Sequence, residues 1–472
     1  MLFRRFYDDP LAQASYLIGC QATGDAFVVD PNRDADQYIA AAEAERMRII
    51  GVAETHIHAD FLSGTRELAD RTGARMYLSD TGPSEWRYGF RDDPRVVALK
   101  GGEKIAVGNI RLEPLPTPGH TPEHLSYFVT DGAASDDPMG VLTGDFVFVG
   151  DVGRPDLLEK AVRVVGSSDS AARTLFASLQ QFKSLPDHLQ VWPAHGAGSA
   201  CGKGIGAVPQ STIGYERRVN WAFGIGDETS FVRQVLDGQP EPPRYFAVMK
   251  RLNRDGPPIL GRVSAPERIA ENRLPALIRE GAVVVDTRSA AAFAAAHIPG
   301  TLNIPLNRNF ATYGGAVLPY DRDLYLIVDG EARGLAQVLR QLTFIGLDRV
   351  AGYAGPEAVK MWARDQGSLG TVPQIDARDF ATDRHGAFLL DVRGLTEWRD
   401  GRINGATLIP LPELLDRIDE VPKEGLIVVQ CQSGSRSSIA ASVLLSRGRR
   451  QVGNLVGGLS AWTGAGLPSE VS

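Results

Sequence analysis

The chain has 472 residues and a formal net charge of −7 at neutral pH. At roughly 150 residues per domain, this length suggests about three domains with apolar cores of their own, which argues against a disordered protein. The mild excess of acidic residues provides no broad field for nucleic acid, so we expect no nucleic-acid partner. Three widely separated cysteines, Cys20, Cys201 and Cys431, cannot form a disulfide framework, so we expect a reducing, cytoplasmic environment.

The uncharged stretches of the chain do not have the composition of membrane spans. Ser289–Asn307 and Gln451–Ser469 contain Pro, Gly, His or Asn, whose polar groups a spanning helix would have to satisfy within lipid. The segment Leu17–Cys20 is similar to a lipoprotein cleavage site but lacks the preceding apolar run, and we interpret it as a strand. No membrane association is therefore predicted.

Strand-like and helix-like segments alternate along the first half of the chain, which is typical of an α/β fold. The predicted strands are Ser15–Gly19, Ala26–Val29, Ile49–Val52, Leu125–Val129, Val141–Leu142 and Gln190–Trp192. The predicted helices include Ala35–Arg46 and Arg173–Lys183. Residues 254–258 are rich in Gly and Pro and predict a domain boundary near residue 260, and a second boundary is expected at Gln366–Pro373.

The last 210 or so residues contain an internal repeat. The segment Asp286–Leu306 aligns without gaps on Asp391–Leu411, at an offset of 105 residues. The two segments share Asp, Arg, Ile, Gly, Ile, Pro and Leu, and Phe293 pairs with Trp398. Each copy predicts an α/β unit with a parallel sheet. We therefore expect three domains, at residues 1–258, 262–365 and 372–472.

Histidines and carboxylates follow several predicted strands of the first domain. They are His56, His58 and Asp60 in the segment 54–61, His120 in Thr117–Thr121, Asp145 in Thr143–Phe146 and His195 in Pro193–Gly196. A loop histidine taken singly is usually hydrogen-bonded and structural. A series at strand ends, next to Gly or Pro, is typical of a metal site built from loops at one edge of a sheet.

This series resembles the metallo-β-lactamase fold family, with its H-x-H-x-D-H motif followed by His, Asp and His. The resemblance implies an αββα sandwich and two metal sites. Phe61 stands where the last histidine of the motif is expected, and a phenyl ring cannot bind a metal. We therefore expect the second site, which would use Asp60, this missing histidine and His195, to be crippled, which argues against a two-metal hydrolytic centre.

The remaining set, His56, His120 and Asp145, leaves coordination positions open and suits non-haem Fe(II) with O2. Within the superfamily it is similar to the persulfide dioxygenase branch, which implies one iron ion and a small-thiol persulfide as substrate. On this interpretation His58, Asp60 and His195 orient ligands or order water. His124 and His188 are interpreted as ordinary surface or loop residues.

Candidate substrate residues in the first domain are three arginines. Arg154 follows the strand of Asp145 closely, and Arg217 and Arg218 lie next to each other beside Tyr215. Each could hold an anionic group of the substrate. The alternative, a solvated helix face or a structural arginine, stays open.

Cys201 lies in a Gly-rich loop six residues after His195, with Lys203 close by in sequence. The default interpretation is a buried structural thiol. Because the loop must pass near the metal if His195 does, we also expect that Cys201 can receive or present persulfide sulfur, with Lys203 favouring its thiolate.

Cys431 begins a loop, Cys431–Ser437, between the predicted strand Leu426–Gln430 and the predicted helix Ser438–Leu445. A thiol in front of a helix N-terminus is surrounded by backbone N–H groups that favour the thiolate, so Cys431 is the predicted nucleophile. Arg436 adds positive charge for an anionic substrate such as sulfite or thiosulfate. Phosphatases carry a C-x5-R loop, which is one residue longer than this C-x4-R loop.

The last repeat copy resembles the rhodanese family of sulfurtransferases. The resemblance rests on the C-x4-R loop and on Asp391–Arg393, Glu397–Trp398, Gly405–Ala406 and Gly457–Trp462. The middle copy reads Val328–Arg333 at the loop position and has no cysteine, so it resembles a rhodanese domain that has lost its nucleophile. We expect the middle copy to be a scaffold.

The leading functional hypothesis joins both centres: oxidation of a thiol persulfide by O2 to sulfite, and transfer of sulfane sulfur by Cys431 that forms or uses thiosulfate. A glyoxalase-II-like zinc thioester hydrolase fused to a sulfurtransferase is the alternative. A sulfur-relay or scaffold protein with a structural metal is a third hypothesis, which the open three-ligand set disfavours. The thiol carrier is left open, and a homo-oligomer is expected.

Overall fold

The computed structural model describes residues 1–157, 167–239, 241–261 and 265–471. Within these residues the chain divides into two compact units, Met1–Val263 and Ser264–Ser472. Residues 262 and 472, where two of the predicted domain ranges begin or end, lie outside the described residues. Across the described ranges, we find no helix that combines the length and the apolar character needed to cross a membrane.

The first unit begins with a six-stranded sheet in the order β1-β2-β3-β4-β5-β6. Its strands are β1 (Leu2–Asp8), β2 (Gln13–Cys20), β3 (Asp25–Val29), β4 (Arg48–Ala53), β5 (Arg75–Ser79) and β6 (Val96–Leu99). The first three strands pair antiparallel, and β3 to β6 pair parallel. The segment Leu17–Cys20 lies in β2, which confirms its interpretation as a strand.

A second six-stranded sheet follows, in the order β12-β11-β10-β9-β8-β7. Its strands are β7 (Ile105–Val107), β8 (Ile110–Pro116), β9 (Leu125–Asp131), β10 (Gly140–Gly144), β11 (Gln190–Pro193) and β12 (Ser211–Thr212). Only the β10–β11 pair among these strands is parallel, and the other neighbours are antiparallel. Asp145 and His195 therefore leave the same edge of this sheet, since each follows one strand of the parallel pair.

The described helices of the first unit flank the two sheets. They are α1 (Ala35–Ala44), α2 (Thr65–Thr72), α3 (Ser167–Phe182), α4 (Ile213–Val219), α5 (Trp221–Gly224), α6 (Glu228–Leu236) and α7 (Phe246–Asp255). One apolar core joins the facing sides of the sheets, with Tyr16 and Phe27 against Leu112 and Tyr127. Separate cores pack α1 and α2 on the first sheet and α3 and α6 on the second. The unit is an αββα sandwich, as predicted.

The second unit contains two five-stranded parallel sheets with the same strand order. The first sheet has the order β13-β17-β16-β14-β15 and the second β18-β22-β21-β19-β20. The strands are β13 (Glu267–Arg268), β14 (Val283–Asp286), β15 (Leu302–Asn303), β16 (Leu324–Ile327), β17 (Val350–Ala354), β18 (Gln374–Ile375), β19 (Phe388–Asp391), β20 (Thr407–Leu408), β21 (Ile427–Gln430) and β22 (Val452–Leu455). Since position for position the two orders agree, the internal repeat is confirmed as two copies of one parallel α/β fold.

In chain order, the helices of the second unit are α8 (Leu274–Arg279), α9 (Ala290–Ala295), α10 (Phe310–Val317), α11 (Glu331–Phe344), α12 (Glu357–Asp365), α13 (Ala377–Thr382), α14 (Leu395–Asp400), α15 (Ser435–Ser446) and α16 (Gly458–Gly464). Four helices correspond between the copies, whereas α10 of the first copy has no α-helical counterpart among the described residues of the second. Helix α15 begins three residues earlier than the sequence predicts. Arg436 consequently lies in the first helical turn and not in the loop before it.

The Asp–Arg pair at the start of each repeat forms the same buried ion pair in both copies. Arg288 binds both oxygens of Asp286 and donates to the carbonyl of Ala296. Arg393 binds both oxygens of Asp391 and donates to the carbonyl of Gly401. Each arginine thus ties the end of a strand to the end of the next helix, which explains why the repeat keeps these residue types.

Candidate metal centre and candidate sulfur-transfer site

The segment that carries His56, His58 and Asp60 follows β4 and is organised by Asp30, which follows β3. Asp30 accepts hydrogen bonds from the Thr55 N–H at 2.7 Å, from the Thr55 hydroxyl at 2.9 Å and from His58 Nε2 at 3.1 Å. All of these groups are buried. Burial opposes a charge on His58, but Asp30 outweighs it and raises the pKa of His58 to about 9. His58 is therefore held as a cation beneath the site.

His120 and Asp145 reach the same point from the second sheet. His120 Nδ1 donates to the carbonyl of Arg154 at 2.9 Å, so its Nε2 carries the free lone pair. That Nε2 lies 3.5 Å from Asp145 Oδ2, and His56 Nε2 lies 3.9 Å from the same oxygen. The three predicted ligands place their ligand atoms within 4.8 Å of one another, in buried positions.

The charge states of His56, His120 and Asp145 suit the binding of a cation. Burial, followed by the charge on His58, holds the pKa of His56 well below its usual value, so His56 is a neutral ligand. The pKa of Asp145 is held well below its usual range, since His195, His56 and His120 outweigh the effect of burial. Within the described chain, neither carboxylate oxygen of Asp145 has a hydrogen-bond partner. A buried carboxylate that faces the free Nε2 atoms of two neutral imidazoles fits a metal ion.

His195 lies on the other side of Asp145. Its Nδ1 donates to the carbonyl of Ala12 at 2.9 Å, and its Nε2 lies 3.2 Å from Asp60 Oδ2 and 3.3 Å from Asp145 Oδ1. Burial opposes the imidazolium form, yet Asp145 and other nearby anionic groups raise the pKa of His195 well above its usual value. Burial raises the pKa of Asp60. The predicted supporting residues thus face the same carboxylate as the predicted ligands.

Phe61 fills the place beside His58. Its ring is fully buried and lies 4.4 Å from the His58 ring, centroid to centroid. Asn253 on α7 donates to the carbonyls of both His58 and Phe61, at 2.8 Å each, and accepts from the Ser63 N–H at 2.9 Å. The backbone of the motif is therefore held by a residue some 190 positions further along the chain.

His124 is part of the site, contrary to its interpretation as an ordinary residue. It is fully buried, its ring stacks on His56 at 5.1 Å, and its Nε2 accepts the Asp145 N–H at 3.2 Å. The hydroxyl of Thr117 lies 2.8 Å from its Nδ1. Burial lowers the pKa of His124 to about 3, so it orients Asp145 as a neutral side chain. His188, by contrast, is exposed as expected.

Gly144, directly before Asp145, has a φ of +51°. A Cβ atom at this position would lie 2.6 Å from the Thr55 hydroxyl and 2.7 Å from His124 Nε2. Both the left-handed backbone and this close approach require glycine, which explains the Gly-Asp sequence at the end of β10.

Two of the three arginines predicted to bind substrate have other partners in the structure. Arg154 is fully buried, binds both oxygens of Asp156 at 2.7 and 2.8 Å, and donates to the carbonyl of Ala200 at 3.1 Å. Arg217 binds Asp187 and the carbonyls of Lys183 and Leu185. Arg218 is exposed on the same helix, α4. The Arg154 side chain is thus enclosed by Asp156 and the Ala200 carbonyl, and its own backbone carbonyl accepts the hydrogen bond from His120.

Cys201 is buried, and its sulfur lies within 4.8 Å of the ligand atoms of Asp60 and His195. Burial, together with the charges of Asp145 and Asp60, raises the pKa of the Cys201 thiol to about 12. The Lys203 ammonium group donates to the carbonyls of Gln234 and Asp237 instead. Lys203 therefore does not favour the Cys201 thiolate, contrary to the expectation from the sequence.

A small cavity opens beside His120. It is lined by Ile57, Ala59, Trp86, His120, Thr121, Leu157, Phe246 and Lys250. The Lys250 ammonium group lies 3.6 Å from the centre of the Trp86 ring. Burial lowers the pKa of Lys250 to about 8, and burial raises the pKa of the facing Glu123 to about 7. The cavity thus combines apolar walls with one amine.

The second centre is the loop after β21. Cys431 is buried, and its sulfur accepts the Gly434 N–H at 3.1 Å and the Ser437 hydroxyl at 3.5 Å. Gly434 has a φ of +98°, which turns the loop into helix α15. The sulfur thus faces one backbone amide and one hydroxyl at the N-terminus of helix α15, an environment that favours a thiolate.

Arg436 is already paired with a carboxylate. Its two terminal nitrogens bind Glu397 at 2.6 and 2.7 Å, a bidentate ion pair that holds the pKa of Glu397 below its usual value despite partial burial. The Gly394 N–H also binds Glu397 at 3.0 Å. The charge of Arg436 is thus oriented and partly compensated before any anion binds.

Sequence reasoning missed Asp30, His124, Asn253 and the structural role of Arg154. Asp30 and His124 each stand beside a predicted strand, Ala26–Val29 or Leu125–Val129, and that position was the available signal. Asn253 had none, because its contacts are made across a large separation in sequence.

Comparisons with known proteins agree with this description. Residues 8–195 match the metallo-beta-lactamase superfamily, and residues 271–357 and 375–465 match the rhodanese-like domain. A crystal structure of a metallo-beta-lactamase from Staphylococcus aureus is 42% identical, covers 75% of this chain and 99% of its own, and superposes with a TM-score of 0.67.

Curated relatives match shorter parts of this chain than that crystal structure does. A beta-lactamase hydrolase-like protein of Xylella fastidiosa is 26% identical over 300 residues, which are 56% of this chain and 61% of that protein. The hydroxyacylglutathione hydrolase of Rhodospirillum rubrum is 29% identical over 180 residues, 38% of this chain and 60% of that protein. This chain thus spans about three fifths of each. It belongs to the metallo-beta-lactamase superfamily, and two rhodanese-like domains follow the metallo-beta-lactamase fold.

Proposed function

We propose that the chain is a persulfide dioxygenase with sulfurtransferase activity. The observation that carries the proposal is the pairing of an open donor set, His56, His120 and Asp145, with a nucleophilic thiol loop at Cys431 in one chain. Two imidazoles and one carboxylate favour mononuclear non-haem Fe(II), which supplies open positions for O2 and a sulfur ligand when it is bound. Both centres would then act on sulfane sulfur.

Residues around the donor set hold it ready for the cation. The backbone carbonyl of Arg154 fixes the tautomer of His120, and Thr55 lies 2.9 Å from His56 Nδ1 and fixes that ring. His124 fixes Asp145 through its backbone N–H. Such supporting contacts typically change metal affinity about 10- to 100-fold when removed.

The cavity beside His120 supports a small thiol carrier as substrate. Its apolar walls exclude water from the sulfur, and Lys250 provides one cation for a carboxylate of the carrier. We propose Lys250, and not the buried Arg154, as the group that holds the anionic part of the substrate.

The proposed reactions at the two centres conserve atoms and electrons. At the metal centre a persulfide RSSH, O2 and water give the thiol RSH and sulfurous acid, which ionises to sulfite. At Cys431 the thiolate takes the terminal sulfur of a second RSSH, releases RSH and becomes a persulfide. Sulfite then removes that sulfur as thiosulfate and restores the thiolate. The opposite direction, from thiosulfate to RSSH, uses the same groups.

The second candidate function is a zinc thioester hydrolase fused to a sulfurtransferase. The resemblance to hydroxyacylglutathione hydrolases favours it, since those relatives are named for hydrolysis. In that case His56, His120 and Asp145 would hold Zn²⁺, which would supply an activated water for thioester hydrolysis. The substitution of Phe61 for a histidine ligand disfavours it.

One experiment separates the two functions. The full chain is loaded with Fe(II) and given a low-molecular-weight thiol persulfide, and oxygen uptake, sulfite and thiosulfate are measured. The same chain loaded with zinc is given a glutathione thioester. We expect oxygen uptake by the iron form, and we expect Cys431→Ser to shift the product from thiosulfate towards sulfite while Cys20→Ser leaves the ratio unchanged. Thioester cleavage by the zinc form without any oxygen uptake by the iron form would establish the hydrolase instead.

A further inference from the structure

Contacts between the middle copy and helix α15 of the last copy join the two copies of the second unit. The Asn303 N–H, at the end of β15, donates to the Ser442 hydroxyl on α15 at 2.9 Å, and both residues are buried. This hydroxyl in turn donates to the Ile439 carbonyl at 2.7 Å. Strand β15 and helix α9 also lie against α15. Because α15 begins within the loop Cys431–Ser437, the middle copy is held next to the sulfur-transfer site.

Helix α10 of the middle copy is the additional helix that the described part of the last copy lacks. Phe310, Gly314 and Val317 form one buried face of this helix. The helix packs on α11 of its own copy and on the segment Leu411–Glu413 of the last copy. Tyr313 is only partly buried, unlike the residues of the buried face. The additional helix therefore presents one tyrosine where the two copies meet.

Tyr313 lies close to the charged groups around Cys431. Burial raises the pKa of Tyr313 above its usual value, Arg436 opposes this effect, and the negative charges of Cys431 and Glu397 add to it. The phenol is therefore protonated at neutral pH and can donate a hydrogen bond. The Asn309 side chain also bonds the phenol and lowers its pKa, which is the effect of a donor to the phenol oxygen. The phenol hydrogen is thus left for another acceptor.

The donors of the last copy around Cys431 already have acceptors. The Gly434 N–H and the Ser437 hydroxyl bind the Cys431 sulfur, and each terminal nitrogen of Arg436 donates to a carboxylate. A sulfur oxyanion such as thiosulfate or sulfite brings oxygens that also need donors, whereas the sulfur atoms of a persulfide accept hydrogen bonds only weakly. A further O–H donor beside Arg436 therefore distinguishes these two classes of substrate.

We propose that Tyr313 of the middle copy is a specificity-determining residue of the Cys431 site, whose hydroxyl donates a hydrogen bond to an oxygen of thiosulfate or sulfite. This inference rests on the proposed sulfur transfer at Cys431. It gives the cysteine-less middle copy a role beyond that of a scaffold. The transferred sulfur of a persulfide RSSH carries no oxygen, so the phenol favours the oxyanion over the persulfide as the partner of Cys431.

The test compares two sulfur donors on the full chain under anaerobic conditions, so that no persulfide is oxidised. Thiosulfate or glutathione persulfide is added, and the rate at which Cys431 becomes a persulfide is measured by peptide mass spectrometry. In Tyr313→Phe we expect the half-saturating concentration of thiosulfate to rise about tenfold, which is typical of one lost hydrogen bond to a charged group. The value for glutathione persulfide should stay unchanged. Tyr353→Phe on β17, three strands away from β15, is the matched control and should change neither value.

An equal rise for both donors in Tyr313→Phe would show a general disturbance of the site and would overturn the inference. An unchanged value for thiosulfate would overturn it as well. Binding of sulfite, measured by isothermal titration calorimetry, requires no sulfur transfer, and its dissociation constant should also rise about tenfold in Tyr313→Phe. If the unsubstituted chain takes sulfur from neither donor, the proposed sulfurtransferase function fails, and calorimetry alone decides the role of Tyr313. Equal dissociation constants in both chains would then show that the phenol does not contact the oxyanion.

Discussion

The candidate metal centre of the first unit and the Cys431 loop of the second differ in how their buried carboxylates are paired. At the candidate metal centre, Asp60 and Asp145 are buried and have no hydrogen-bond partners within the described residues. Around Cys431, by contrast, Arg393 binds both oxygens of Asp391 and Arg436 binds both oxygens of Glu397.

This difference indicates that the first centre depends on a bound cation and the second on ion pairs within the chain. The first suits a cation from outside the chain, because the carboxylates of Asp60 and Asp145 are buried and only imidazole groups face them. The second is complete in the folded chain, so its chemistry depends on the thiol and on ion pairs that the sequence supplies. Removal of bound metal should therefore affect the first unit, and substitution of Arg393 or Glu397 should affect the second.

Removal of bound metal should have the largest effect, and only on the first unit. Chelation abolishes oxygen uptake and lowers the free energy of unfolding of this unit by about 4 kcal/mol if the metal was present at about 1,000 times its dissociation constant. Calorimetry before and after chelation measures the loss. Transfer of sulfur from thiosulfate should stay constant, and a parallel loss of transfer would show that the two centres are not independent.

Breaking the ion pair beneath the Cys431 loop should strongly destabilise the second unit. Arg393→Met leaves Asp391 buried without its partner, and the free energy of unfolding should fall by about 3 to 5 kcal/mol. Urea unfolding measures this change. Arg399→Met, at an exposed position on the neighbouring helix, is the matched control. A loss below about 1 kcal/mol would mean that water reaches Asp391 and that the loop is less enclosed than described.

Releasing Arg436 should have a moderate effect on substrate binding. Glu397→Gln removes the carboxylate that compensates Arg436, so KM for thiosulfate should fall, by about 1.5- to 5-fold for a partly exposed pair. Steady-state sulfurtransferase kinetics measure it, with Glu413→Gln as the control because Glu413 also pairs with an exposed arginine. A rise in KM would show instead that Glu397 orients Arg436 for the anion.

The pH response of the cavity should be the smallest effect. Below pH 8 Lys250 is charged and can hold a carboxylate of the thiol carrier. Above pH 8 this charge is lost, so the KM for the thiol persulfide should rise about two- to fivefold. Lys250→Met should show the higher KM at every pH, and Lys104→Met, at an exposed position, should behave as the unsubstituted chain.

The same group gives a stability test of known sign. Burial lowers the pKa of Lys250 in the folded chain from 10.5 to about 8, so between these values the unfolded chain binds more protons. Stability from this group therefore rises as the pH rises through 8. If Lys250→Met leaves the pH dependence of unfolding unchanged between pH 8 and 10.5, the amine is not buried in the cavity.

Particular residues show how far sequence reasoning reached. The positions of His56, His120 and Asp145 could be predicted to converge because each follows a strand, and strand ends of one sandwich edge meet. The two copies of the second unit could be predicted from their repeat. The environment of Arg154 could not, since the sequence shows an arginine near a strand end but not that Asp156 and Ala200 enclose it.

By itself the sequence determined the α/β fold class and the repeat and indicated the candidate ligands and the Cys431 loop, because these follow from local periodicity and from residue types at strand ends. Only the tertiary structure decided which groups share a site. It brings Cys201 to Asp60, places His124 behind Asp145, and ties Asn253 to the histidine motif. These contacts join segments far apart in the chain, and the packing of the sandwich, not local pattern, fixes such distances.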